Sequence, residues 1–267
     1  VNLVTRNGLA FFQFSHLAQF ANIDHGIFTR NSGYSRPPYR SLNVSYGIGD
    51  DDEKVAQNRQ LIARCLSARN LTFVNQLHGK SILVLSRNHA AEARHPCGSP
   101  LRGDALVTDK PETFLAIQVA DCQSLLMYDP IRQVIANVHA GWRGSIDNII
   151  GRTVRAMEDH FGCDPDTIRV GIGPSLGPCC AEFIHYQTEI PEKFWPYKDA
   201  DDHFDFWSIS QDQLLEAGVS RENIECARIC TRCHPEWFFS YRAEKTTGRF
   251  ASVIGFRPLD GDRRLAL

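Results

Sequence analysis

At 267 residues, 43 % of them hydrophobic and 22 % charged, the chain holds enough apolar material for one large domain or two small ones. Its formal net charge of -2 excludes a basic nucleic-acid-binding field, and no run approaches the roughly 20 apolar residues of a membrane helix. Nine cysteines, an odd count in so long a chain, exclude the small secreted disulfide scaffold.

The opening VNLVTRNGLAFFQFSHLAQF is interrupted by Gln13, Ser15 and His16 and lacks the pattern of an export signal, so a cytoplasmic location is expected. Residues 25 to 51, HGIFTRNSGYSRPPYRSLNVSYGIGDD, read as a strand and then a Gly/Ser/Pro-rich loop long enough to serve a site. DDEKVAQNRQLIARCL predicts a helix with acids in its first turn and Val55, Leu61, Ile62 and Cys65 on one apolar face. LTFVNQLHGKSILVL gives two strand-like runs around QLHG. A polar segment, 88 to 104, leads into DALVTDKPETFLAIQVADC, and the apolar runs ending at Cys122 and at His139 both read as strands.

SIDNIIGRTVRAMEDHFG predicts one helix from Ser145, with Ile146, Ile149, Ile150, Val154 and Met157 inward and Gly162 as its stop. IRVGIGPSLGPCC is a strand entering a Gly/Pro loop, and SISQDQLLEAG a short helix capped by Ser208 or Ser210. NIECARIC and WFFSYRAEKTTGRFASVIGF read as strands, the latter around a TTG turn. Strands and helices intermix without regular βαβ alternation, a repeat or a linker. The expectation is an α+β fold: a single layered domain over 1–267 with a mixed central sheet.

Three side chains stand out by context. His78 in NQLHGK, Cys122 in VADCQ and His139 in NVHAGWRG each lie near the end of an apolar run beside small residues. Two imidazoles and a thiolate suit zinc with one position left open. Separated by 44 and 17 residues, they form no local motif, and from spacing alone three unrelated buried residues remain the simpler account. CTRCH, residues 230 to 234, matches a haem-attachment pattern, but without export the haem reading fails. Cys226, Cys230, Cys233 and His234 as a structural zinc set compete with plain packing of redox-silent thiols, and the adjacent Cys179 and Cys180 offer thiols on a loop. Arg143, just before the helix at Ser145, is a candidate anion site.

Taken together, NQLHG, GDALVT, VADCQSLLMYD, NVHAGWRG, GIGPSLGPCC and FFSYR…TGR, with HGIFTR and SLNVSYGIGDD…VAQNR upstream, resemble the YfiH-type laccase-domain family. Its members are also called multicopper polyphenol oxidoreductases or peptidoglycan editing factors. The likeness runs from about His25 to Arg257. It implies a layered mixed α/β fold related to a class of cysteine hydrolases of the cytotoxic-necrotizing-factor type, and zinc on His78, Cys122 and His139. The implied activity is phosphorolysis of inosine, guanosine, adenosine and methylthioadenosine, with deamination of adenosine. Nucleoside and phosphate are then the partners, with no nucleic acid and no membrane.

Further roles are assigned as follows: Arg143 and Arg59 for phosphate, Asn43 and Gln76 for ribose or base, Asp121 to orient a ligand or move a proton, and Tyr241 with Arg242 to close the pocket. The chain departs from the family after SYR, where Ala243 and Glu244 replace the more usual Arg and Asp.

Copper suits the chain less well than zinc. A multicopper centre needs about ten histidine ligands, usually in H-x-H pairs, whereas this chain has 10 histidines in all and no such pair. The alternatives are a cysteine amidase acting on cell-wall precursors, with Cys122 as nucleophile and His139 as base, then copper-dependent polyphenol oxidation, and a non-enzymatic interaction module.

Overall fold

The structure is a computed structural model that describes residues 1–87 and 101–258. His89, His95, Cys97 and most of the polar 88–104 segment lie outside the described residues. An Asn7-Gly8 turn with both residues at positive φ joins β1 (Asn2–Arg6) to β2 (Leu9–Gln13). After α1 (Ser15–Ala18) and β3 (Ile23–Phe28) comes the long loop, then α2 (Asp52–Cys65), whose first turn is capped by Asp51 accepting from the Glu53 N–H. Then follow β4 (Leu71–Phe73), β5 (Ile82–Leu85), β6 (Ala105–Thr108), β7 (Phe114–Val119), β8 (Gln123–Asp129) and β9 (Val134–Ala140).

The helix predicted from Ser145 is two helices, α3 (Trp142–Ile146) and α4 (Ile149–Phe161). Asn148 breaks it: its backbone is left-handed, at φ 54°, and its side chain caps α4 by accepting from the Gly151 N–H. Gly162 ends α4 at φ 66°, as expected. Next come β10 (Arg169–Ile172), α5 (Tyr186–Glu189) and α6 (Phe206–Glu216). The cap of α6 is Asp205, not Ser208 or Ser210; its carboxylate accepts from the Ser208 N–H while Ser210 is buried inside the helix. After β11 (Ile224–Cys226), the expected WFFSYR strand is a turn leading to α7 (Tyr241–Glu244), and only β12 (Phe250–Phe256) is extended. Trp237 and Phe238 both donate their N–H groups back to the His234 carbonyl, so Phe238 and Phe239 enter the core from a turn.

The strands divide between two six-stranded sheets rather than sharing one. The first runs β1-β2-β3-β12-β7-β4, the second β11-β10-β8-β9-β6-β5. Both are mixed: β4 lies parallel to β7, β5 to β6 and β10 to β11, while the other pairs are antiparallel. Strand alternation builds the layers. Leu115, Ile117 and Ile254 of the first sheet meet Leu106, Leu126, Tyr128 and Ile135 of the second. On the outer face of the second sheet, Leu125, Met127, Ala136 and Val138 pack on Ile150, Val154 and Met157 of α4. On the outer face of the first, Phe11, Phe28, Ala116 and Val253 cover Ile62 and Cys65 of α2. The result is a helix–sheet–sheet–helix sandwich, and fully burying each such side chain contributes roughly 1.5–3 kcal/mol. None of the described helices is long and apolar enough to cross a membrane.

Candidate metal centre and the pocket around it

The chain crosses between the sheets twice in this region, and each crossing carries one of the predicted ligands. His78 sits between β4 of the first sheet and β5 of the second; Cys122 sits between β7 and β8. His139, near the end of β9, is buried on the inter-sheet side with Ile135, two strand periods away. One ligand atom from each of the three lies within 4.8 Å of the others. His78 and Asp121 both have left-handed backbones, at φ 57° and 86°. Such residues cost of order 1–3 kcal/mol each and persist where surrounding bonds enforce them. Here those bonds are visible: the His78 N–H donates to Asp104, and the Asp121 carboxylate accepts from Thr231 Oγ1 at 2.7 Å and the Arg242 N–H at 2.6 Å.

Asp104, fully buried at the start of β6, organises both histidines. Its Oδ1 accepts from the Leu77 and His78 N–H groups at 3.0 and 2.8 Å, and faces His139 Nδ1 at 2.9 Å; its Oδ2 accepts from the Gly79 N–H at 2.9 Å. Burial opposes its charge, but the contacts from His139, Gly79 and His78 outweigh that and hold the carboxyl below its ordinary range. With Nδ1 turned to Asp104, His139 presents Nε2 toward Cys122. Burial would raise the Cys122 thiol, yet His139 and then His78 bring it down to about 6; burial would lower His139, yet Cys122 and then Asp104 lift it to about 9. A thiolate beside two imidazoles, one with its outer nitrogen tied to a carboxylate, is a donor set that fits zinc. Gly141 leaves room on one side: a Cβ there would stand 3.4 Å from Cys122 Sγ, 3.6 Å from His78 and 3.8 Å from His139.

The three residues line a cavity of about 510 Å³, within the usual size of a small-molecule site. Gln76, Asp121, Tyr241 and Arg242 line it too. Gln76 is committed to the fold, its side-chain amide exchanging both hydrogen bonds with the backbone of Gln118. Arg242 Nη1 donates to the Cys180 and Glu182 carbonyls, anchoring one wall.

Asn43, Arg59 and Arg143 are not among the lining residues. Asn43 is fully buried and ties the loop: Nδ2 donates to the Ser45 carbonyl and Asp50, and Oδ1 accepts from the Ser45 and Arg249 N–H groups. Arg59 packs its guanidinium 3.7 Å from the Phe73 ring centre and 4.4 Å from that of Tyr46, and donates to the Val44 carbonyl. Burial lowers its pKa to about 10. Arg143 is exposed and stacks on Trp142 at 4.2 Å.

Sequence reasoning passed over Asp104, Arg249, Gln118 and an aromatic wall of Trp142, Phe183 and Phe206, all but Asp104 on the cavity surface. Asp104 opens an apolar strand in GDALVT, a place where a carboxylate needs a reason, and that was its available signal. Arg249 lies in TTGR immediately before the last strand, and burial lowers its pKa, against the pull of Cys122 and Asp121. Phe183 and Phe206 come from segments with no periodicity, and only the fold brings them 5.5 Å apart.

A family model described as multi-copper polyphenol oxidoreductase laccase matches residues 24–257. A protein of Bacteroides thetaiotaomicron named purine nucleoside phosphorylase is 32 % identical over 241 residues, covering 86 % of this chain and 89 % of that one. The purine nucleoside phosphorylase YfiH of Escherichia coli is 33 % identical over 238 residues, covering 85 % and 90 %. The crystal structure of YlmD from Geobacillus stearothermophilus superposes with a TM-score of 0.81 at 29 % identity, covering 93 % of this chain and 99 % of that one.

Proposed function

This chain belongs to the multi-copper polyphenol oxidoreductase laccase family, and from that premise we propose that it is a zinc-dependent purine nucleoside phosphorylase with adenosine deaminase activity. Curated relatives named for phosphorolysis support the first part at about 30 % identity. The observation that carries the reading is the convergence of His78, Cys122 and His139 on a nucleoside-sized cavity with aromatic and arginine walls.

The chain's own residues divide the work. Trp142, Phe183 and Phe206 offer ring faces and edges to a purine, while Arg242 and Arg249 bring positive charge to a phosphate approaching the ribose. Phosphorolysis breaks the C1′–N9 bond as phosphate oxygen adds to C1′, through an oxocarbenium-like sugar; holding both partners in line supplies much of the rate. Gln118, whose Oε1 is buried without a hydrogen-bond partner, is placed to take up a donor from the bound purine or ribose. His78, Cys122 and His139 would hold zinc, which when bound lowers the pKa of water toward neutrality, the chemistry deamination needs. Asp104 keeps His139 in the tautomer that presents Nε2.

One observation favours a second reading. Asp104, His139 and Cys122 form a connected carboxylate–imidazole–thiol series, the arrangement of a cysteine nucleophile with its base and orienting acid. Under that reading the protein is a cysteine amidase. The test is incubation with inosine and with adenosine, with and without phosphate, using zinc-replete and chelator-stripped protein, followed by chromatography. Phosphate-dependent hypoxanthine and ribose-1-phosphate from inosine, lost on stripping and restored by zinc, carry the phosphorylase. Inosine from adenosine without phosphate carries the deaminase. No turnover of either nucleoside in zinc-replete protein overturns both, and metal-free hydrolysis of a cell-wall precursor amide, blocked by alkylation of Cys122, installs the amidase.

A further inference from the structure

Away from the cavity floor, a second group of ligands has assembled. The Sγ atoms of Cys179, Cys180, Cys230 and Cys233 all lie within 4.8 Å of one another. Two come from the GPCC loop after β10 and two from the CTRC turn after β11, so the four unite segments some fifty residues apart. The partners differ from those the sequence suggested: Cys226 lies in β11 and His234 faces Glu236, both outside the group, and the GPCC pair takes their places.

The spacing suits a metal ion. A tetrahedral zinc with bonds of about 2.3 Å sets its sulfurs roughly 3.8 Å apart. Cys233 Sγ stands 3.6 Å from both Cys179 Sγ and Cys180 Sγ. A disulfide requires about 2.05 Å, and all four are free thiols. The backbone is arranged for sulfur as well. Cys230 and Cys233 have the C-x2-C spacing of structural zinc sites, and the Gly177 N–H donates to Cys230 Sγ at 3.3 Å. The loops are also pressed together where they meet: a Cβ on Gly177 would come within 2.7 Å of the Trp207 ring and 3.1 Å of Cys230 Cβ, so only glycine fits.

We propose that Cys179, Cys180, Cys230 and Cys233 form a tetrathiolate site for a single structural zinc ion, separate from the His78–Cys122–His139 centre. The four thiols bind as thiolates and release their protons to solvent. The ion pins the two loops that build one side of the cavity. Leu176, Ala181 and Phe183 of the first loop line it, and Thr231 of the second donates to Asp121, the neighbour of Cys122. The Ser175 backbone already bridges the two loops: its N–H donates to the Ile229 carbonyl at 3.2 Å and its carbonyl accepts from the Thr231 N–H at 3.0 Å. The proposal does not depend on which reaction the cavity performs.

Metal analysis and thiol mapping of the folded full chain test it. Relative to wild type, Cys230→Ser combined with Cys233→Ser should lose one equivalent of zinc, and His78→Ala should retain that equivalent. Cys179 and Cys233 are solvent-exposed, yet in wild-type protein saturated with zinc they should resist iodoacetamide until a chelator is added. That second measurement needs no variant and stands even where the serine substitutions prevent folding. Unchanged zinc content in a folded double-serine variant overturns the proposal. So does immediate labelling of Cys179 and Cys233 in zinc-saturated wild type, or protection that yields to a reductant but not to a chelator, since that marks a disulfide.

Discussion

Replacing Asp104 with asparagine tests the central geometric claim, that one buried carboxylate sets both histidines. Three donors converge on Oδ1 and one on Oδ2. Asparagine retains a single acceptor. If its oxygen keeps the place facing Leu77, His78 and His139, its amide group opposes the Gly79 N–H, leaving two buried donors face to face at about 1–3 kcal/mol. The three remaining bonds lose their charge assistance, at up to about 1 kcal/mol each. The expected loss is therefore about 1–6 kcal/mol, against the roughly 5–15 kcal/mol by which domains are stable, so the variant should fold but unfold at lower urea.

The same change frees the ring of His139 and the backbone of His78, and loss of such an outer partner typically weakens metal binding 10–100-fold. Zinc affinity at this centre is read from zinc-dependent protection of Cys122 against alkylation, located by peptide mapping, so that other thiols do not contribute. Val154→Ala, which removes buried apolar volume from α4 remote from the ligands, is the control: it should cost about 1–3 kcal/mol and leave that affinity alone. An Asp104→Asn protein with zinc affinity within twofold of wild type would refute the reasoning, whatever its stability.

Gly141→Ala places a methyl group in ordinary contact with all three ligands, at a residue whose φ of -71° any side chain adopts, so stability should change by less than about 0.5 kcal/mol while turnover falls at least tenfold; unchanged kcat would mean that side of the centre is not used. Arg249→Ala should raise KM for phosphate at least tenfold, whereas Arg59→Lys should leave it unchanged and cost about 1–2 kcal/mol in urea unfolding, from lost ring stacking and the lost bond to Val44. The opposite pattern in phosphate KM would return Arg59 to the site. His25 is buried, accepts from the Phe14 N–H at 2.9 Å, and burial lowers its pKa to about 4 against the pull of Asp24. The unfolded chain protonates near pH 6.5 and the folded one only near 4, so stability should fall as pH drops through that window, by up to about 3 kcal/mol. His25→Gln should remove that part of the acid dependence, and parallel pH profiles for the two proteins would count against it.

What the sequence made legible follows from where local rules and tertiary need agree. α2 has acids at its start, a 3.6-residue apolar stripe and an Asp51 cap, and every level pointed to the same element. The candidate trio stood out for a similar reason: His78, Cys122 and His139 end apolar runs, where a polar group is conspicuous, but only the family resemblance joined them into one set. Asn148 was hidden because Ile146, Ile149 and Ile150 keep the helical period through the break, and a left-handed asparagine is invisible to periodicity. WFFSYR read as a strand because its aromatics are core residues, but Phe238 and Phe239 reach the core from a turn. The two sheets could not be separated by pattern either. Strands buried on both faces, such as β8 and β9, show no alternation of polarity, and the crossings at His78 and Cys122 look like ordinary loops. The sugar- and phosphate-binding roles given to Asn43 and Arg59 met the same difficulty in reverse. Both side chains are occupied within the loop and the sheet edge, work that no local pattern announces.

The family's copper name can be weighed on ligand placement alone. A blue-copper centre adds a weak axial thioether to two histidines and a cysteine. The chain has two methionines, and both Met127 and Met157 are packed between the second sheet and α4, on the face opposite His139. Strand alternation enforces this: Met127 points with Leu125 toward the helix, while His139 on the neighbouring strand points with Ile135 toward the first sheet. Moving Met127 to the other face would require a one-residue register slip that turns the whole of β8 inside out. A trinuclear centre needs many imidazoles together, and among the described residues the ligand groups are only the His78–Cys122–His139 trio and the four thiols. Neither group, among the described residues, has the ligand number of a multicopper centre. Both donor sets suit zinc, the first with three ligands on the cavity wall and the second with four sulfurs, so one fold would carry the catalytic and the structural form of the same ion.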